Sequence, residues 1–396
     1  MKVLQICSKP PKPSVDGGCK AANNITEGLL LNGIEVKVLT ISTHKHPFQK
    51  EKLTEDYIKK TQIEHVFVDT RIKPLSAFMS LCSSTSYNLS RFYCKKFEQL
   101  IEDSLHNESY DVVLLEGLFV TGYIHTIRKN TQAKIVLRAH NVEHEIWERN
   151  AENESNALKR MYLHKLARQL KKHEIKTINQ IDAVAAITSK DEQKLIGLGC
   201  EKPIEVIPFG INISNYDFVN KASEINFFHI GSMDWLPNQK AIKWFLKRVW
   251  TKIENTHPEA AFFLAGKKMP TWLTQWKQHQ VHVVGEVADA VEFINEHKVM
   301  VAPLFSGSGM RIKVVEGMAL GKTIIATEIA MEGIDYEHKK NILIANNENE
   351  FVKAMNWCLA HPNEVEMIGK NAQLLMKEKH DNDLIIKELV VLFDSI

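Results

Sequence analysis

The sequence predicts an α/β protein built from two wound parallel sheets, one in each half of the chain, with a helical C-terminal tail. Short apolar runs alternate with amphipathic segments of helical length almost throughout, as strands and covering helices do in a parallel sheet. That rhythm pauses once, in the polar stretch 214–224, and then restarts. A chain of 396 residues also exceeds what one hydrophobic core ordinarily serves, which favours two domains.

In the first half the strand candidates are 2–8, 35–42, 63–69, 110–115, 133–139, 183–188 and 204–209. The first is followed by a proline-rich loop, Gly17-Gly18 and an apolar helix that stops at Gly33, a natural C-cap. Residues 143–180 are charged and helical in period, and read as two helices meeting near 153–157. The run Pro208-Phe-Gly-Ile-Asn212 ends the series. In the second half the strand candidates are 225–231, 260–266, 281–287, 299–304 and 323–327, and the chain finishes in helices from Asn347 onward. The expected domains are therefore 1–212, a linker at 213–224, and 225–375. A C-terminal helix at 376–396 has the option of crossing back to the first domain. Two such halves imply a cleft between them, and ligands of wound sheets bind outside the carboxyl ends of the strands.

Composition narrows the function classes. Hydrophobic residues at 44% and charged residues at 25% are ordinary for a globular protein. A formal net charge of +2 gives no global push toward nucleic acid, and no such partner is expected. Six cysteines lie far apart with no CxxC pair, which fits a reducing compartment rather than a disulfide framework or structural zinc. The apolar run at the N-terminus is too short for a signal peptide, and nothing approaches the roughly 18 apolar residues of a membrane span. The expected location is the cytoplasm.

The most informative segment runs from Pro303 to Gly321. An apolar strand enters the loop Gly307-Ser308-Gly309-Met310, which opens a helix carrying Arg311, Lys313 and Glu316. Glycines let backbone approach a ligand, and the free N–H groups and dipole of a helix start favour phosphate. Arg311 and Lys313 fall in the first turn, where the dipole disfavours cations, a placement that makes sense if a diphosphate neutralises them. The competing reading is an ordinary strand-turn-helix with solvated charges.

Val206-Ile-Pro-Phe-Gly-Ile-Asn212, Gly231-Ser-Met-Asp-Trp235 and Gly307 to Gly321, in that order, resemble the group 1 (family 4-like) retaining glycosyltransferases of the GT-B fold. The branch it resembles serves bacterial exopolysaccharide and glycan assembly, and the likeness covers essentially the whole chain. The resemblance implies two Rossmann-like domains facing each other across a cleft, the first on the acceptor side and the second binding a nucleotide-sugar donor. It implies transfer of a hexose, with retention at the anomeric carbon, to a glycan or lipid-linked acceptor. Glu316 would hold the ribose hydroxyls, the amides of Gly309 and Met310 the diphosphate and sugar, and Gly285-Glu286-Val287 the base. Gly18 would lie close to donor phosphate or acceptor, and His140 would face the donor sugar and support transfer. No metal or other cofactor is implied.

Two departures from the family pattern stand out. The first acid of the family's E-x7-E pattern is replaced by Ser308, which bears on donor sugar identity. The usual arginine after Gly231 is Ser232, so Arg311 and Lys313 are expected to supply that charge.

Other motifs keep plainer readings beside them. His140-x-x-Glu143-His144 also spells an inverted zinc-peptidase motif, although His140 is expected at a strand end rather than on the helix. Gly17-Gly18 makes an ordinary turn in many proteins. Asp381-Asn-Asp383 resembles a metal-binding DxD, but N-capping suits its place in the helical tail better. Lys159, Arg160, Lys165, Arg168, Lys171, Lys172 and Lys176, interleaved with Leu158, Leu163, Leu166 and Leu170, form a solvated helix face or a dock for anionic lipid at the inner membrane surface. The aromatics Phe78, Tyr87, Phe92 and Tyr93 belong to the core or frame the acceptor. A non-hydrolysing sugar-nucleotide epimerase and a catalytically idle sugar-nucleotide-binding protein remain alternatives to the transferase.

Overall fold

The computed structural model describes residues 1–73, 80, 86–216, 224–307 and 309–396. The expected site residue Ser308, the aromatic Phe78 and much of the expected linker lie outside them. The chain divides into two compact units, Met1–Gly210 with Asn382–Ile396, and Ile211–Asp381.

The first unit is a seven-stranded sheet of β1 (Lys2–Cys7), β2 (Glu35–Ser42), β3 (Glu64–Phe67), β4 (Val112–Glu116), β5 (Lys134–Ala139), β6 (Ala183–Ala186) and β7 (Ile204–Val206). Its order is β3-β2-β1-β4-β5-β6-β7, and every pairing is parallel. Central strands are buried on both faces, which is why they read as continuous apolar runs. One face packs Leu4, Ile6, Val113 and Leu115 with Phe97 and Ile101, and the other packs Val3, Val112 and Leu114 with Ile25 and Leu29.

Helix α1 (Gly17–Leu31) is N-capped by Asp16, whose side chain accepts from the Cys19 N–H at 2.9 Å. The glycine pair thus begins the helix rather than preceding it, and Gly33 follows the C-cap at φ +74°. The C-terminal helix Asn382–Asp394 lies against α1 so closely that a Cβ on Gly28 would sit 2.4 Å from Ile386 and 2.5 Å from Asn382. Asn382 also donates to the Asn24 carbonyl at 2.8 Å. The charged stretch forms two helices, Glu143–Glu152 and Ala157–Ile178, with Asn156 capping the second. The first is capped from the second, because Glu174 accepts from the Glu143 N–H at 2.9 Å.

The second unit is a six-stranded sheet, β10-β9-β8-β11-β12-β13, again parallel throughout. Its strands are β8 (Phe227–Ile230), β9 (Phe262–Ala265), β10 (Val281–Gly285), β11 (Val299–Ala302), β12 (Thr323–Ala326) and β13 (Leu343–Ile344). The two-residue edge strand β13 escapes a sequence reading. Behind the sheet lies an aromatic core of Phe245, Trp250, Phe262 and Phe351. No helix of the described residues is long and apolar enough to cross a membrane.

Candidate functional site

At the carboxyl end of β4 and β5 the first unit buries a charged network. Glu116 ends β4, and Arg138 lies one residue before the end of β5; both side chains are almost wholly enclosed. His140 follows β5 and stays half-buried, before the helix, as the sequence implies. Glu116 Oε2 accepts from His140 Nε2 at 2.7 Å and from Arg138 Nη1 at 3.3 Å, while its Oε1 accepts from Gln5 Nε2 at 2.8 Å. A carboxylate only accepts, so the His140 proton sits on Nε2 and Nδ1 is the acceptor nitrogen. Burial alone would raise the Glu116 carboxyl, yet Arg138 and His140 bring it down to about 2. Burial lowers His140 despite the pull of Glu116, which keeps its ring neutral at pH 7.

Next to this network Lys9, beyond β1, donates to both oxygens of Asp16 at 2.8 and 2.9 Å, and Asp16 also meets His46 at 2.8 Å. Lys9 lies over Gly18, where a Cβ would fall 2.5 Å from its Nζ. Asp16, Cys19 and His46 are the one set of three among the described residues close enough to share a metal ion. The set is a poor ligand sphere, since Lys9 holds the Asp16 carboxylate and burial pushes the Cys19 thiol up to about 12. The inverted peptidase spacing gathers no such set. His140 is bound to Glu116, whereas His144 Nδ1 meets Glu174 at 2.6 Å. Glu143 between them is raised to about 7 by burial and by the charge of Glu174.

In the second unit the carboxyl ends of β8, β9 and β10 are stitched together by backbone. Gly231 N donates to Ala265 O at 3.1 Å and Gly266 N to Gly285 O at 2.7 Å. A Cβ on Gly266 would lie 1.8 Å from the Gly231 carbonyl oxygen, so only glycine allows this approach. After β11 the chain passes through Gly307 at φ +119° and Gly309 at φ +76° into the helix Ile312–Ala319.

Arg311 is the N-cap residue of that helix and not part of its first turn, which corrects the sequence reading. Its guanidinium donates from Nη1 to Gly309 O at 2.7 Å and lies 5.3 Å from the Trp235 ring centre. Lys313 does lie in the first turn, and its side chain reaches back to β8. A Cβ on Gly231 would stand 3.0 Å from its Nζ. Lys313 Nζ donates to Asn238 Oδ1 at 2.9 Å and to His229 Nε2 at 3.1 Å. His229 in turn gives its Nδ1 proton to Val301 O at 2.7 Å, and Asn238 donates to Ser232 O at 2.8 Å. Burial, together with the nearby charge of Arg311, lowers Lys313 to about 7.

Glu316 lies one turn further on and accepts from Tyr216 Oη at 3.0 Å. Gly317 lets this helix sit close on the sheet, since a Cβ there would fall 2.8 Å from the Met300 methyl. Ser232 is turned to Asp234 at 2.7 Å, and Met310 and Val287 are half-buried. Glu286 is exposed, 3.9 Å from Lys267.

Of the residues the sequence singled out, the structure places Gly231, Ser232, Gly285, Glu286, Val287, Gly309, Met310, Arg311, Lys313 and Glu316 in the second unit, and Gly18 and His140 in the first. Sequence reasoning missed Glu116, His229, Asn238 and Tyr216. Asp383 is paired with Lys387 at 2.6 Å, and Asp381 bridges Ile211. Tyr87 and Phe97 are core residues, and Phe92 stacks on Phe119 at 5.0 Å. On the basic helix Leu166 and Leu170 face inward, but Leu158 and Met161 are 76% and 68% exposed beside Lys159 and Arg160.

The profile described as Glycosyltransferase Family 4 matches residues 15–215, and that described as Glycosyl transferases group 1 matches residues 224–361. A protein of Klebsiella pneumoniae, "Uncharacterized 44.6 kDa protein in cps region", is 21% identical over 72% of this chain and 74% of its own length. The sucrose-phosphate synthase of Thermosynechococcus elongatus superposes over 100% of this chain and 99% of its own, with TM-score 0.71 at 15% identity. Anabaena Alr3699/HepE in complex with UDP-glucose superposes over the whole of both chains, with TM-score 0.65 at 13% identity. These two structures share the GT-B fold with this chain. With its first 200 or so residues matched to family 4 and most of the second unit to group 1, the chain belongs to the group 1, family 4 glycosyltransferases of the GT-B fold.

Proposed function

We propose that this glycosyltransferase moves a hexose from a nucleotide-diphosphate sugar to a glycan or lipid-linked acceptor, with retention at the anomeric carbon. One observation carries the reading. At the glycine-rich carboxyl edge of the second sheet, Lys313 is held against Gly231 by two neutral groups and, among the described residues, by no carboxylate. A half-buried cation in that state suits a ligand that brings negative charge, and a diphosphate does so. Arg311 adds a second cation beside the Gly309 carbonyl, and Glu316 offers a charged acceptor to a ribose diol.

As the glycosidic bond breaks, charge grows on the leaving diphosphate, and Arg311, Lys313 and the loop amides of Gly309 and Met310 stabilise it. These cations supply the countercharge for which other transferases use a metal, so the reaction needs no cofactor. We assign His140 the supporting role in transfer that the resemblance implies, with Nε2 committed to Glu116 and Nδ1 as its acceptor nitrogen. Gly285 and Val287 give the base backbone groups. HepE has been crystallised with UDP-glucose, which makes a UDP-sugar the first donor to try.

Calorimetric titration with UDP-, GDP- and ADP-sugars, followed by assay with glycolipid extract in excess chelator, tests this reading. Binding of one donor and metal-independent transfer are expected. Activity lost in chelator and restored by magnesium or manganese alone removes the metal-free mechanism, and sugar interconversion without acceptor favours the epimerase. We further assign the exposed face from Lys159 to Lys176, with Leu158 and Met161, to contact with anionic membrane. Flotation with anionic but not neutral vesicles is the expected result, and equal failure with both returns the face to solvent.

A further inference from the structure

The partners of Lys313 have a consequence for how the donor binds. His229 is enclosed in β8, and its Nδ1 proton is committed to the Val301 carbonyl, so its Nε2 can only accept. Asn238, buried on the helix Leu236–Trp244, presents its oxygen to the same ammonium because its amide nitrogen donates to Ser232 O. Two of the three Lys313 protons are thereby directed away from the ligand side, and Nζ is fixed beside Gly231. Around it, His229 faces Lys313 from β8 and Arg311 from the loop before the helix. Glu316, one turn along the same helix, is engaged by Tyr216.

We propose that His229 is a positioning residue that, with Asn238, aims Lys313 at the donor diphosphate, and that donor binding is completed by uptake of a proton at Lys313. The inference rests on the donor reading above. The proton goes from solvent to the Lys313 nitrogen lone pair, and the incoming diphosphate supplies the negative charge that holds it there.

Burial and the Arg311 charge bring the Lys313 ammonium to about 7. The empty protein then holds that proton less firmly than an ordinary lysine does and gives it up increasingly as pH rises past about 7. A diphosphate within a few ångströms returns the lysine to its usual charged form. Proton uptake should therefore grow from a small fraction at pH 6 toward a full proton above pH 8, and donor affinity should fall by roughly fifteenfold between pH 7 and pH 8.5.

Titration calorimetry of the whole chain with UDP-glucose, GDP-mannose and ADP-glucose, in two buffers of different ionisation enthalpy, measures this directly. Lys313→Met should bind the donor more weakly with no proton uptake. His229→Gln puts a carboxamide oxygen where Nε2 accepts and should keep affinity and uptake near the wild type. His229→Phe removes the acceptor and should lose at least about tenfold in affinity. If the wild type binds a donor at pH 8 without proton uptake, the inference falls and the donor reading stands. If none of the three donors binds at any pH, both fall. Equal donor affinity for His229→Phe and the wild type removes the positioning role, and the Gln and Met variants keep the test open if the Phe variant does not fold.

Discussion

The two units each hold a buried cationic cluster at the carboxyl ends of their strands, and the clusters differ in how their charge is balanced. In the first unit Arg138 and His140 converge on one oxygen of Glu116, so the cation has its counter-ion within the protein. In the second, Lys313 leans on His229 and Asn238, which are neutral. The titration behaviour diverges accordingly. Glu116 is driven down to about 2 and Lys313 down to about 7, so one group is held charged and the other is pushed toward neutrality. The first cluster is balanced within the fold, and in the proposed reading the second is balanced by the donor.

The largest expected effect breaks the first cluster. Glu116→Leu leaves Arg138 buried without its carboxylate, at a cost of about 3–5 kcal/mol of folding stability. Lys313→Met should leave the empty protein as stable or more so, because it replaces a half-buried cation by an apolar chain of similar length. Both pH dependences run the same way, toward greater stability as pH rises, but in separate windows. Glu116 has a lowered folded value, so its stabilisation is complete above the ordinary carboxylate range and is lost as pH falls toward about 2. Lys313 binds its proton less readily when folded, so its cost is greatest below about pH 7 and fades as pH rises to the ordinary lysine range. Thermal unfolding of both variants across pH 3–10 checks this. A stable Glu116→Leu protein would show that the two clusters do not differ.

Next in size is turnover. A fixed cation gains most when charge on the diphosphate is greatest, in the transition state. Arg311→Ala and Lys313→Ala should each lower kcat by a hundred- to a thousandfold, or about 2.7–4 kcal/mol, with a smaller rise in donor KM. Arg311→Lys should restore only part, because an ammonium cannot reproduce the planar contact with Trp235 and the Gly309 carbonyl. Steady-state kinetics decide the matter. A pure KM effect would mean ground and transition states are bound alike, and near-normal kcat would place both side chains outside the chemistry.

Much of the fold was legible because parallel strands buried on both faces leave uninterrupted apolar runs, as in Val112–Glu116 and Val299–Ala302. The break between the two charged helices was equally plain, since Asn156 caps the second. The short edge strand Leu343–Ile344 was not, because two residues carry no period. Glycine spacing marked the loop from Gly307 to Gly309, whose positive φ values bear out a backbone conformation suited to glycine. The site's supporting residues were illegible for a different reason. Glu116 meets Gln5 across 111 residues and Lys313 meets His229 across 84, and no local pattern encodes such pairs. A signal was nonetheless available. Gln5 in β1, Glu116 in β4 and His229 in β8 are polar residues inside runs that are otherwise buried, and burial obliges each to find a partner. Reading those three as half of unseen pairs would have pointed at both clusters.

The smallest expected effects concern Glu316 and the hydroxyl that holds it. In the proposed donor site, Glu316→Gln removes a charged acceptor for the ribose diol. A hydrogen bond to a charged group is worth about 1.5–3 kcal/mol, so donor affinity should fall at least about tenfold. Tyr216→Phe deletes only the 3.0 Å bond that orients the carboxylate and leaves its charge in place. A single hydrogen bond of this kind contributes about 0.5–1.5 kcal/mol, so affinity should drop by roughly two- to tenfold. The two changes act through one carboxylate, so they should not add. Once Gln stands at 316, loss of the Tyr216 hydroxyl should cost little more, and a double-mutant cycle by titration calorimetry measures that coupling. Nucleotide affinity unchanged in Glu316→Gln would put Glu316 outside the donor site. Fully additive losses would show that Tyr216 acts on the donor by a route of its own, and the proposed donor site would then have one more direct contact than the Tyr216–Glu316 bond suggests.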